Sequence, residues 1–182
     1  MNPRICMVGS SNIDLSARVP RIPAPAETLI GSRFQMGFGG KGANQAVMAA
    51  RLGAEVAVVT KLGRDVFGES TLANYRAQGI DTSYVLFDEK EASGVALIAV
   101  EEGSGQNSII IAPGANFTLT PAEVRLASRA IQSAQIVMCQ LEVPIEISLE
   151  AFLVAKGGPG VTTILNPAPA ANLPMELLQL TD

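Results

Sequence analysis

Four short apolar runs, Ile5–Val8, Val56–Thr60, Ile136–Cys139 and Thr162–Leu165, alternate along this chain with helical patterns. That rhythm belongs to a parallel sheet, whose strands are buried on both faces by the helices that connect them. The class is therefore α/β. The helices carry their own punctuation. Gly68–Gln78 ends at Gly79, and Pro144–Lys156 stops at Gly157-Gly158. Pro121–Ser133 opens with Thr120 as cap, Pro121 in first position and Glu123 closing a capping box.

Two stretches break the rhythm. Ser16–Met36 and Gly94–Ile111 alternate apolar and polar residues around turn signals such as Pro23-Ala24-Pro25 and Glu102-Gly103-Ser104-Gly105, which reads as antiparallel β structure inserted into the α/β unit. There is no internal repeat and no long linker. Residues 1–182 are expected to form one domain, with the inserted β segments at about 14–36 and 93–112.

The decapeptide Gly37-Phe38-Gly39-Gly40-Lys41-Gly42-Ala43-Asn44-Gln45-Ala46 concentrates bare backbone, a cation and side-chain amides at the start of a helix running to Leu52. Glycines there let a ligand approach backbone N–H groups at the positive helix end. Two familiar motifs fit poorly. Gly37-x-Gly39-x-x-Gly42 has the dinucleotide spacing, yet the next strand, Val56–Thr60, ends in Lys61 where a ribose-binding acid belongs. A Walker loop needs Ser or Thr after Gly-Lys, and here Gly42 follows Lys41.

Composition excludes further classes. A net charge of −4 without a Lys/Arg cluster, and 4% aromatic residues, give no footprint for nucleic acid. No apolar run approaches the ~20 residues that span a bilayer, so no membrane partner is expected. Cys6 and Cys139 lie in apolar runs and form no Cys-x-x-Cys pair, which reads as two buried free thiols and a cytoplasmic, reducing setting. With no histidine in the chain, Ser-His and Cys-His pairs are impossible and the commonest zinc ligand is missing; no metal site is read from the residues.

Several residues are placed to carry chemistry. Asp14 lies just beyond the first strand, at the carboxyl edge where open α/β sheets bind ligands; it can accept from adjacent hydroxyls or satisfy turn amides. Asn12 sits at the same edge, as ligand contact or turn residue. Lys41 can donate to a ligand oxygen, Asn44 can donate and accept at once, and Gly40 and Gly42 allow close backbone approach. Singly, these also read as a solvated lysine, a helix cap and turn glycines. Glu142 follows the strand Ile136–Cys139 and precedes a Pro-initiated helix, so it can take a hydroxyl or complement a helix end.

The Gly40-Lys41-Gly42-Ala43-Asn44 run resembles the first signature of the ribokinase family of sugar kinases, in which it contacts the sugar. Gly9-Ser10-Ser11-Asn12-Ile13-Asp14, Gly63-Arg64-Asp65 with Gly68, Pro113-Gly114-Ala115-Asn116, Cys139-Gln140-Leu141-Glu142 and Asn166-Pro167-Ala168-Pro169-Ala170 are similar to the family in the same order along nearly the whole chain. The resemblance implies a Rossmann-like parallel sheet with helices on both faces, plus a small antiparallel β lid that closes over the sugar and pairs with a second subunit's lid in a homodimer. It implies ATP-dependent phosphorylation of D-ribose to D-ribose 5-phosphate with Mg2+ and K+, and sugar-binding roles for Asn12, Asp14, Gly40, Lys41, Gly42, Asn44 and Glu142. Another sugar or a nucleoside is the alternative substrate.

The family's catalytic parts are an Asn/Glu motif near metal and phosphates and a Gly-Ala-Gly-Asp whose Asp is the base, and this sequence contains neither; Gly114-Ala115-Asn116 lacks the acid. The expectation is a chain that carries the sugar site and lid, no catalytic residue, and not the C-terminal part of the family fold. A non-catalytic product that binds sugar or dimerises is the reading from a different class.

Overall fold

The computed structural model describes residues 2–182. Five strands form a fully parallel sheet: β1 (Arg4–Val8), β4 (Glu55–Gly63), β5 (Asp81–Asp88), β8 (Ile136–Cys139) and β9 (Thr162–Leu165), in the spatial order β5-β4-β1-β8-β9. Alternate residues of β1 serve opposite cores. Cys6 and Val8 point into one with Val137, Cys139, Ile147 and Phe152, while Met7 joins Val56, Val58, Ala46 and Tyr75 in the other. Because both faces are buried, the strands read as continuous apolar runs.

Helices α1 (Lys41–Arg51) and α2 (Val66–Ala77) cover the second core. On the first lie α3 (Pro121–Leu126), α4 (Ser128–Ser133), α5 (Ile145–Lys156) and α6 (Met175–Gln179). The capping box at Thr120 and Glu123 forms as expected. The single helix expected over Pro121–Ser133 is instead two, joined at the fully buried Ala127. Helix α2 starts earlier than Gly68, because Asp65 caps it by accepting from the Gly68 N–H at 2.8 Å. Both thiols are free and buried; burial, helped by the charge of Asp81, pushes Cys6 up to about 12.

The inserted segments build a second sheet from β2 (Asn12–Val19), β3 (Arg33–Gly39), β6 (Gly94–Glu101) and β7 (Asn107–Ala112), in the order β3-β2-β6-β7. Each segment is an antiparallel pair, and the two pairs join through a parallel contact between β2 and β6. Chain direction explains this: β2 follows β1 and β6 follows β5, so both leave the carboxyl edge of the central sheet in the same sense. A short 3-10 helix, Gly114–Thr118, leads back to α3.

Topology fixes where a ligand can sit. From β1 the chain moves outward on one side to β4 and β5, then returns to β8 on the other side of β1. The switch point lies between β1 and β8, and open α/β sheets bind ligands outside the strand ends at that point. The four-stranded sheet rises from the same edge.

Candidate functional site

Gly9-Ser10-Ser11 after β1 and Gln140-Leu141-Glu142 after β8 meet at the switch point. The Ser10 hydroxyl donates to Glu142 Oε2 at 2.6 Å, and the Lys41 backbone N–H donates to the same oxygen at 2.8 Å. Lys41 Nζ stands 3.3 Å from Glu142 Oε1. Glu142 thus does complement a positive helix end, that of α1 rather than of the helix it precedes; α1 has no acidic residue in its own first turn.

The glycines of the α1 loop answer to the chain itself. A Cβ on Gly42 would lie 2.8 Å from the Ser10 backbone N and O, and one on Gly40, at φ 89°, would lie 2.8 Å from the Asn12 backbone N. Helix α1 can therefore seat on the bend between β1 and β2, where Ala43 N–H donates to the Ser10 carbonyl at 2.9 Å. The structure gives the helix-start N–H groups internal acceptors in Glu142 and Ser10. Gly39 leaves room for the Asp14 carboxylate.

Asp14 is half-buried, and no protein donor among the described residues reaches its carboxylate. Burial, with the negative charge of Glu142 nearby, raises its pKa above the ordinary aspartate value. Asn12 is buried at the root of β2, its Oδ1 accepting from Asn116 Nδ2 at 2.8 Å. Asn12, Ile111, Pro113, Phe117, Leu141, Glu142 and Pro169 line a cleft of about 220 Å³ beneath the lid strands. Asn44 is not brought into this cluster: it is exposed in the first turn of α1 and lines a separate groove with Phe38, Gly39 and Asn74.

Some contributors were not singled out from sequence as site residues. Ser10 orients Glu142; the Asn166–Ala170 turn borders the cleft because Leu141 N–H donates to the Ala168 carbonyl at 3.0 Å; and Ile111 and Phe117 supply apolar walls. Only the pairing of β1 with β8 would have revealed these contacts. Among the described residues no group of three or more His, Cys, Asp or Glu side chains could hold a metal ion, and no helix is long and apolar enough to cross a membrane.

The switch point of a parallel α/β sheet thus gathers two carboxylates, a lysine and an amide beside a four-stranded sheet that rises from the same edge. Residues 2–182 match the model of the pfkB family of carbohydrate kinases, and the chain belongs to that family. It is 44% identical over 183 residues to a ribokinase of Staphylococcus aureus (strain COL), covering 100% of this chain and 60% of that protein. With a deoxyribokinase of Salmonella typhi it shares 41% over 166 residues, 91% of this chain and 54% of that protein. A ribokinase of Arabidopsis thaliana solved with ribose and ATP superposes with a TM-score of 0.86 at 32% identity, over 100% of this chain and 59% of that one. The chain thus spans about 60% or less of these relatives' lengths.

Proposed function

We propose that this chain supplies the sugar site and lid of an ATP-dependent kinase that converts D-ribose to D-ribose 5-phosphate. The observation that carries the reading is Asp14, a half-buried carboxylate left without a protein donor among the described residues and near the charge of Glu142, which Lys41 pairs. Its oxygens accept from neighbouring sugar hydroxyls. Glu142 Oε1 accepts a further hydroxyl, Asn12 Nδ2 and Lys41 Nζ donate to sugar oxygens, and Gly40 and Gly42 hold α1 against the bend that presents these groups. Closure of the lid excludes water, which phosphoryl transfer requires.

ATP, Mg2+ and K+ are the cofactors proposed for the complete enzyme. Among the described residues no group of three or more His, Cys, Asp or Glu side chains could hold a divalent ion, and the start of α1 already spends its N–H groups on Glu142 and Ser10. A cytoplasmic setting is proposed with it, on the ground of the two buried free thiols Cys6 and Cys139.

The relation to a deoxyribokinase keeps one alternative substrate in view, 2-deoxyribose. Titration calorimetry with D-ribose, 2-deoxy-D-ribose, D-fructose and adenosine tests the assignment. D-ribose is expected to bind most tightly, since a site built for hydroxyls is penalised when one is missing. Tighter binding of 2-deoxyribose or adenosine would transfer the assignment to that ligand.

A further inference from the structure

Besides Gly39 at the end of β3, the lid is rooted in the central domain at three chain points, Asn12 entering β2, Gly94 entering β6, and Pro113 leaving β7. One buried side chain, Asn116 in the 3-10 helix, ties them together. Its Oδ1 accepts from the Ser11 backbone N–H at 2.8 Å, and its Nδ2 approaches Asn12 Oδ1 at 2.8 Å, the Pro113 carbonyl at 2.9 Å and the Ser11 carbonyl at 3.1 Å. Gly94 makes room for this meeting, because a Cβ there would overlap both Asn116 Nδ2 and Asn12 Oδ1.

Hydrogen-bond chemistry makes the arrangement directional. A backbone N–H can only donate, so Ser11 fixes which end of the Asn116 amide is oxygen. Its NH2 must then face Asn12, which fixes the oxygen of Asn12 inward. The remaining group, Asn12 Nδ2, has no protein acceptor among the described residues and is not sealed from solvent, while Asn12 lines the cleft. A free donor is thereby left on a residue that lines the cleft together with the acceptor Glu142.

We propose that Asn116 is a positioning residue that sets the donor end of Asn12 toward the ligand and thereby fixes which ligand oxygen the site reads at the lid root. It acts through Asn12 and touches no ligand itself. The identity of the ligand rests on the sugar reading above, whereas the amide relay does not.

Two measurements test it. In a 15N-labelled chain without ligand, the Asn12 side-chain NH2 should exchange readily with water, and in Asn116→Asp it should become protected, since a carboxylate at 116 still accepts from Ser11 N–H but draws the Asn12 NH2 inward. Protection of that NH2 in the unsubstituted chain would overturn the proposal, even if Asn116→Asp failed to fold. Calorimetry with D-ribose then forms a double-mutant cycle. Asn116→Asp should weaken binding roughly 10-fold and have little further effect in an Asn12→Ala background. Equal weakening in both backgrounds would make Asn116 merely structural. Failure of D-ribose to bind the unsubstituted chain would count against the sugar reading while the exchange result still decides the relay.

Discussion

Asp14 is half-buried near the charge of Glu142 with no protein donor among the described residues, so its ionised form carries a cost in the folded chain. Its raised pKa means that the folded state binds the Asp14 proton more tightly than the unfolded state, so its ionisation opposes folding as pH rises. Asp14→Asn should therefore raise the thermal midpoint at pH 7, with the gain fading as pH falls through the raised folded value and gone below the unfolded aspartate pKa. The same substitution should weaken D-ribose binding roughly 10- to 100-fold, the worth of a charge-assisted hydrogen bond. Affinity in the unsubstituted chain should begin to fall, on acidification, at a pH above the ordinary aspartate value. Calorimetry and thermal melts across pH check all three.

The glycines separate by what surrounds them. Gly42→Ala would normally favour a helix by about 1 kcal/mol, but here its Cβ meets the Ser10 backbone, so the melt should move downward. Gly37→Ala, with nothing within 4 Å, should leave it nearly unchanged. Asp14 and Glu142 were legible as candidates because they follow closely on apolar strand runs, and Lys41 because it opens a helix after a run of glycines. The true neighbour of Gly42, some thirty residues earlier, was not, since no local pattern encodes that approach.

At the scale of elements, runs buried on both faces were the easiest to read, and β1, β4, β8 and β9 stand close to their apolar segments. Strand β5 escaped notice because none of its residues is fully buried and it begins in the polar Asp81-Thr82-Ser83. The break at Ala127 has no glycine or proline to announce it, and the parallel join of β2 to β6 is set by strand exits far apart in sequence. Asp65 shows how one residue serves two elements. It caps α2 and also accepts from Ser93 N–H at 2.7 Å and the Ser93 hydroxyl at 2.7 Å, pinning the approach to β6. Burial acts to raise its pKa, but the Ser93 and Gly68 donors outweigh this and lower it. Its stabilisation is thus present above the unfolded aspartate pKa and is lost as pH falls through the lowered folded value. Asp65→Ala should cost about 1–2 kcal/mol in urea unfolding at pH 7, and the deficit should shrink in acid.

Across the whole molecule, the lid presents an unusual surface. Met36, Leu15, Leu97 and Ile110 form one cross-strand row, and Met36, Leu97 and Ile110 are exposed together with nearby Phe34. A contiguous apolar face of this kind favours association. Sedimentation should show a homodimer formed through the lid, and Ile110→Lys should shift it to monomer; a dimer unaffected by that change would place the interface elsewhere. A crystal structure of this chain with D-ribose would locate the sugar at the switch point. The sugar is expected between Asp14 and Glu142, with Asn12 Nδ2 and Lys41 Nζ donating to its oxygens and the lid above it. Ribose bound away from Asp14, or with Asp14 still unpartnered, would contradict that placement.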